Sequence, residues 1–324
     1  MCGRLFCYGD WVINIFAKKS LGQNFLHSKP TIEKIVEAGE VVSTDIVLEI
    51  GPGTGFLTEQ LLLKAGKVIA VEKDDRLIQP LKEKFSKEIA EGRLVVIHED
   101  ALIFDPEVFL GTVKSDAIRG ASEACDQDVQ KYVAGANERS NKEVRRFHGS
   151  YKLIANIPYY ITGQFFRRFL SEVTQPNTLV ALIQKEVADR IVATDNKESL
   201  LSLSVKAYGT PKRVAIVGRG CFTPAPNVDS AIIAITHISK QFFDDSPEQE
   251  KVFFELIRAG FAHKRKKILS NLKSTSNLQQ TTDNQKRKTV DFERLFETLK
   301  ISKNVRAEDL TLEIWKKILS LRVD

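Results

Sequence analysis

A β-branched run that turns through three glycines into a helical pattern constrains this chain most. It reads Ile46-Val-Leu-Glu49-Ile-Gly51-Pro-Gly53-Thr-Gly55-Phe56-Leu57-Thr58, with Leu61 and Leu62 continuing the helical spacing. A strand that passes into a helix this way indicates an α/β domain with a mostly parallel sheet. Glycine lets backbone approach a ligand closely, and the start of the following helix presents unpaired N–H groups. The G-x-G-x-x-G fingerprint of nicotinamide dinucleotide folds would need glycine at position 56. The chain has Phe56 there, so its glycines run G-x-G-x-G.

Three further apolar runs end in groups that can hold a ligand. Lys67-Val-Ile-Ala-Val71 ends in Glu72, placed to accept both hydroxyls of a ribose. Leu94-Val-Val-Ile97 ends in Glu99-Asp100, a carboxylate where an adenine amine can be held. Taken singly, each acid is an ordinary solvated strand end. Tyr151-Lys-Leu-Ile-Ala155 ends in Asn156-Ile157-Pro158-Tyr159. The glycine turn, the two acids and this tetrapeptide fall in order at the carboxyl ends of successive strands, where open α/β sheets bind ligands.

The tetrapeptide on its own is an ordinary turn composition. In this setting it brings together what chemistry on an exocyclic amine needs. The Asn156 side-chain carbonyl can accept from an N–H. Pro158 fixes φ and removes a donor, leaving backbone carbonyls to face a ligand. Tyr159 supplies a ring for a base to stack on, at roughly 1–3 kcal/mol per base in single-strand binders.

With these residues the chain resembles the S-adenosylmethionine-dependent rRNA adenine N6,N6-dimethyltransferases, and among them the bacterial small-subunit type. Five more stretches carry the likeness: Lys19-Ser-Leu-Gly-Gln23-Asn24-Phe25-Leu26 at the cofactor lid; Gln184-Lys-Glu-Val-Ala-Asp-Arg190; Phe222-Thr-Pro-Ala-Pro-Asn-Val-Asp-Ser230 at the target-site loop; Phe261-Ala-His-Lys-Arg-Lys-Lys-Ile-Leu269; and Arg306-Ala-Glu-Asp-Leu-Thr-Leu312. The Gln184–Arg190 and Thr223–Ser230 wording favours the small-subunit type over the resistance enzymes acting on large-subunit rRNA. The likeness runs from about Ala17 to the C-terminus.

It implies a Rossmann-like methyltransferase fold over residues 17–238 and a small all-helical, basic, RNA-binding domain over 239–324. It also implies that Asn24, Leu26, Gly51, Glu72, Asp100 and Asn156 contact S-adenosylmethionine, with Gly53 and Gly55 of the same turn beside it. Asn156, Tyr159 and Phe222 would surround the target adenine. The implied substrate is small-subunit rRNA or a pre-30S particle, at two adjacent adenosines near the 3′ end. The implied enzyme is a cytoplasmic monomer with a role in small-subunit biogenesis and no metal requirement.

Charge distribution agrees with such a partner. The chain is +6 overall, and residues 239–324 carry 18 Lys and Arg against 13 Asp and Glu, so all but one of the net positive charges lie there. Lys264, Arg265, Lys266 and Lys267 follow an apolar helical pattern (Phe253, Leu256, Ile257, Phe261), which places them at a helix end as candidate phosphate contacts. A solvated helix end is the plain alternative. No apolar stretch approaches the length of a membrane span, so no membrane role is expected. Four cysteines (Cys2, Cys7, Cys125, Cys221) without zinc-type spacing fit a reducing compartment, and five scattered histidines suggest no metal site.

Residues 1–16 read as a disordered extension without the basic start of a signal peptide. A polar insertion near 111–150 and a Gln/Thr/Asn-rich stretch at 272–289 read as loops. Three rivals stay open at this point. A DNA adenine methyltransferase would bring a larger sequence-reading domain. A non-catalytic relative would not need Glu72, Asn156 and Tyr159. A nicotinamide dehydrogenase is disfavoured by Phe56.

Overall fold

The computed structural model describes residues 6–8, 11–13, 17–106, 150–274 and 291–323. Strands β1 (Phe6–Tyr8) and β2 (Trp11–Ile13) pair antiparallel within the segment expected to be disordered. Along the chain follow β3 (Phe25–Leu26), β4 (Ile46–Ile50), β5 (Lys67–Glu72), β6 (Leu94–His98), β7 (Lys152–Asn156), β8 (Thr178–Gln184), β9 (Thr210–Val217), β10 (Phe222–Thr223) and β11 (Ser230–Thr236). Most of the insertion near 111–150 and most of the 272–289 stretch lie outside the described residues.

Two compact units make up the chain. One holds residues 1–182 and 217–229; the other holds 183–216 and 230–324. The division passes through β8 rather than between 238 and 239. Seven strands form one sheet in the order β6-β5-β4-β7-β8-β11-β9.

In the first unit β4, β5, β6, β7 and β8 run parallel in register. Their residues are buried almost without interruption: Val47, Leu48 and Ile50 in β4, Val68 to Val71 in β5, Leu153 to Ala155 in β7. A strand covered on both faces needs continuous rather than alternating apolar residues, and these runs provide it. The helix Phe56–Leu62 returns from β4 and buries Leu57, Leu61 and Leu62. The helix Thr162–Leu170 buries Phe165, Phe166 and Phe169, whose rings meet at 5.0 to 5.7 Å. Separately, β3 pairs antiparallel with β10, setting Leu26 opposite Phe222.

The second unit is mainly helical. Its helices are Lys185–Val192, Leu200–Lys206, Pro247–Gly260, Ile268–Ser274, Phe292–Thr298 and Leu312–Val323. Phe243, Phe253, Phe296 and Trp315 are fully enclosed there. A Cβ on Gly260 would come within 2.4 Å of the Trp315 ring, so the tight helix contact depends on that glycine. Asp189 receives both Lys185 and Arg213. The helix Pro247–Gly260 ends just before the basic run, and residues 264–267 are exposed.

Candidate active site

The carboxyl ends of β4 to β7 meet in one cleft of about 850 Å³, counted to its open mouth. Its walls include Asn24, Gly51, Glu72, Asp100, Asn156 and Phe222, together with Gly53 and Tyr159. Residues from four strand ends, the N-terminal segment and the β10 loop therefore converge as the sequence order suggests.

The glycine turn is shaped by what it must pass. Gly51, Gly53 and Gly55 all have positive φ, at 73°, 60° and 82°. A Cβ at Gly51 would sit 2.8 Å from the backbone oxygen of Asn156, and one at Gly55 would sit 2.7 Å from the Phe85 ring. Only glycine takes such backbone angles without strain, and only glycine leaves room here. Leu26 and Gly55 do not line the cleft. Strand pairing carries Leu26 into the β3–β10 ladder, where it is buried, and Gly55 faces Phe85 and Leu81 as it starts the helix.

Glu72 is buried, with one oxygen accepting the Gly53 N–H at 3.1 Å and the other the Asp74 N–H at 2.8 Å. Burial raises its pKa above the usual carboxylate value, and the two N–H donors work against that shift. A carboxylate oxygen can accept more than one hydrogen bond, so each retains capacity for a hydroxyl. Asp100 lies across from it. Its Oδ1 accepts the Leu102 N–H at 3.0 Å and its Oδ2 the Lys73 ammonium at 2.6 Å. Burial pushes the Asp100 pKa up, but these two donors outweigh it and the net shift is downward.

Asp74, beside Glu72, anchors the N-terminal segment. Its carboxylate is buried and receives Arg76 Nε at 2.9 Å, Gln23 Nε2 at 2.8 Å and Lys18 Nζ at 3.2 Å. The Arg76 hydrogen bonds in particular hold its pKa well below the usual carboxylate range. Gln23 was legible only as part of the lid motif, and Asp74 only as a plausible start of the helix Asp75–Lys84, which it caps at the Arg76 N–H. Nothing in the local pattern pairs residues 51 and 56 positions apart.

Asn156 ends β7 half-buried, and no hydrogen bond engages its side chain among the described residues. Pro158 follows, and Tyr159 opens a short 3-10 turn, with its carbonyl accepting the Thr162 hydroxyl at 2.9 Å. Phe222 is almost wholly buried, with its residue on the same cleft.

These groups suit S-adenosylmethionine. Glu72 offers acceptors for a diol, Asp100 an acceptor for an amine, and the glycine turn a close backbone approach. Among the described residues nothing hydrogen-bonds the Asn156 amide. A sequence model of the ribosomal RNA adenine dimethylase family matches residues 15–311.

The chain belongs to the ribosomal RNA adenine dimethylase family.

Relatives in this dimethylase family extend over nearly the whole chain. The ribosomal RNA small subunit methyltransferase A of Dehalococcoides mccartyi (strain CBDB1) is 39% identical over 302 residues, covering 93% of this chain and 87% of the relative. The protein of the same name from Bacillus pumilus (strain SAFR-032) is 34% identical over 303 residues, covering 93% and 89%. Among solved structures, a dimethyladenosine transferase from Plasmodium falciparum aligns at a TM-score of 0.67 and 25% identity, covering 92% of this chain and 98% of its own. The 23S rRNA methyltransferase ErmE shares the fold at a TM-score of 0.63 and 20% identity, covering 93% and 100%. The dimethylase is thus an S-adenosylmethionine-dependent enzyme acting on adenine in rRNA, built on a Rossmann-like methyltransferase fold.

One buried acid in this dimethylase lies outside the sequence-derived site. Glu49, in β4 just ahead of the glycine turn, is fully enclosed, and neither carboxyl oxygen has a hydrogen-bond partner among the described residues. Burial raises its pKa to about 8, with the nearby Thr58 hydroxyl and Lys84 opposing and Glu72 adding to the rise. Glu49 is therefore largely protonated at neutral pH.

Among the described residues no helix is long and apolar enough to cross a membrane.

Proposed function

We propose that this protein transfers two methyl groups to adenine N6 in small-subunit rRNA, at two adjacent adenosines near the 3′ end, and acts in small-subunit biogenesis. On this reading it works in the cytoplasm, as a monomer, on the rRNA or a pre-30S particle. The observation that carries it is the meeting of the glycine turn and the Asn156-Ile-Pro-Tyr159 turn in one cleft. The names of the bacterial relatives support the choice of ribosomal subunit.

The residues divide into two groups. Asn24, Gly51, Gly53, Glu72 and Asp100 hold the cofactor, Glu72 at the ribose and Asp100 at the adenine, while Leu26 and Gly55 support that wall from the β3–β10 ladder and the helix start. When bound, S-adenosylmethionine supplies an electrophilic sulfonium methyl, so the chemistry requires no metal. Asn156, Tyr159 and Phe222 take the target base. Adenine N6 is a poor nucleophile because its lone pair is delocalised into the ring. The Asn156 side-chain carbonyl and a backbone carbonyl of the same turn accept its two hydrogens, favouring a pyramidal nitrogen whose lone pair is free to attack. Asn156 thereby acts by orientation and by stabilising the charge that develops at N6, without a strong base. No hydrogen bond from the described residues engages its amide, which leaves that carbonyl available.

The base must leave its stack to reach the cleft, which costs least in a loop or single strand. Tyr159 and Phe222 offset that cost by stacking. A second transfer at the same nitrogen leaves Asn156 one hydrogen to hold. The exposed run Lys264 to Lys267 contacts phosphates.

The test is transfer of radiolabelled methyl from S-adenosylmethionine to unmethylated small-subunit rRNA and pre-30S particles, with nucleoside identification and site mapping. Dimethyladenosine at two adjacent positions near the 3′ end is the expected product. Methylation of large-subunit rRNA or of DNA in preference would overturn the substrate assignment.

A further inference from the structure

Tyr160 is the one large apolar side chain among the described residues that is both exposed and on the cleft wall. Single exposed apolar residues are ordinary on a protein surface, so exposure alone assigns nothing. Its place does. The 3-10 turn Tyr159–Ile161 sets successive side chains about a third of a turn apart. Ile161 is buried, Tyr159 half-buried, and Tyr160 62% exposed at the mouth of the cleft. The N-terminal segment steadies the Tyr160 ring from one side: a Cβ on Gly22 would lie 3.4 Å from two of its carbons. Gly22 has a φ of 60°, and its carbonyl accepts the Asn24 side-chain N–H at 3.2 Å, so this backbone is itself tied to a cleft residue. No hydrogen bond from the described residues engages the Tyr160 hydroxyl. The turn thus presents two rings one residue apart, one on the cleft wall and one at its entrance.

We propose that Tyr160 is a stacking platform for the RNA nucleotide next to the target adenosine, holding the base of that neighbour while Tyr159 faces the extruded one. This rests on the reading of the cleft as the target-base site. Extruding one base uncovers a face of each neighbour in the strand, and an aromatic ring at the cleft mouth can cover one of them. Every base has a π-face, so such stacking tolerates any sequence. Tyr160 therefore sets the affinity and register of the strand rather than reading a base edge. A ring already packed beside Gly22 loses little rotamer freedom on binding, so more of the stacking gain is kept as affinity. Phenylalanine would serve as well, because nothing in the arrangement uses the hydroxyl. An aliphatic side chain would not.

The experiment compares the parent with Tyr160→Ala, Tyr160→Leu and Tyr160→Phe, each checked by thermal unfolding. In steady-state methyl transfer to unmethylated small-subunit rRNA with S-adenosylmethionine saturating, Tyr160→Ala should raise KM for the rRNA about five- to 150-fold, the range that stacking on one base corresponds to. Its kcat should change far less. Tyr160→Phe should restore the parental KM, and Tyr160→Leu should not. Binding of synthetic RNAs with an abasic site on the 5′ or the 3′ side of the target adenosine is then measured by fluorescence anisotropy. One of the two abasic sites should weaken binding by the parent and have no further effect on Tyr160→Ala, which also fixes the side. An unchanged KM in Tyr160→Ala, full rescue by Tyr160→Leu, or no Tyr160-dependent abasic penalty on either side would overturn the proposal and leave Tyr160 as apolar support for the Gly22 segment. Absence of methyl transfer to small-subunit rRNA by the parent would instead remove the target-base reading, and the proposal with it.

Discussion

Gly51 and the backbone carbonyl of Asn156 pass so closely that a Cβ on Gly51 would lie 2.8 Å from that oxygen. The residue that opens the glycine turn and the residue that opens the Asn156-Ile-Pro-Tyr159 turn are thus packed backbone to backbone, across the parallel neighbours β4 and β7. Geometry at one turn is passed to the other without an intervening side chain.

Gly51→Ala should be costly for two reasons. The backbone there has φ of +73°, and the methyl has no space. A left-handed residue other than glycine costs on the order of 1–3 kcal/mol, and relieving the contact must move either turn. Chemical denaturation should show a loss of at least that size, and calorimetry should show impaired cofactor binding. A variant as stable as the parent with normal affinity would mean the turn adapts freely.

Glu72 should separate from its neighbours through affinity. Removing a charged acceptor costs roughly 1.5–3 kcal/mol, so Glu72→Ala should weaken S-adenosylmethionine by about ten- to a hundred-fold. Glu72→Gln, which keeps one acceptor oxygen, should fall between. Because Glu72 also holds the Gly53 and Asp74 N–H groups, the unfolding midpoint must be measured alongside. Unchanged affinity in a folded Glu72→Ala protein ends the ribose assignment.

Glu49 predicts a pH dependence of stability. Its folded-state pKa, about 8, lies above the ordinary carboxyl value of 4.5, so the folded state binds the proton more tightly than the unfolded chain. Its destabilising effect is absent below about pH 4.5, grows as pH rises towards 8 and levels off above that. The slope approaches about 1.4 kcal/mol per pH unit. Glu49→Gln should remove this dependence, so its stability advantage over the parent should widen between pH 5.5 and 8. A constant difference across that range would show that Glu49 does not titrate there.

The basic run is tested by salt. Each phosphate contact contributes to the slope of log affinity against log salt. Replacing Lys264, Arg265, Lys266 and Lys267 by Gln should weaken rRNA binding and flatten that slope by up to about four. Lys267 Nζ already meets Asn304 at 2.6 Å, so it should contribute least. An unchanged slope leaves the run as a solvated helix end.

Much of the site was legible because its signals are local. Uninterrupted apolar runs marked β4 to β7, and the residues within three positions past each run lie at a strand end, which placed Glu72, Asp100 and Asn156. Phe56 in place of a third spaced glycine steered the reading away from a nicotinamide fold. Other features depend on chain segments meeting across long separations. Lys18 and Gln23 reach Asp74, Lys73 reaches Asp100, and Leu26 reaches Phe222 only once the topology is set. No residue pattern near any of them encodes the partner. Glu49 shows a different limit: a strand pattern marks it as interior, but only the packed structure shows that it lacks a hydrogen-bond partner among the described residues.

The central claim is that Asn156 acts on the target amine. It is tested most directly by single-turnover methyl transfer with rRNA and S-adenosylmethionine both saturating, comparing the parent, Asn156→Ala and Tyr159→Ala. Asn156→Ala should fold and bind rRNA, yet transfer methyl about 10²- to 10³-fold more slowly, the loss seen when one transition-state hydrogen-bond partner is removed. Tyr159→Ala should lose rRNA affinity as well as rate, because it removes stacking. Near-parental transfer by Asn156→Ala would contradict the account and leave Asn156-Ile-Pro-Tyr159 as a strand-end turn with no part in the chemistry.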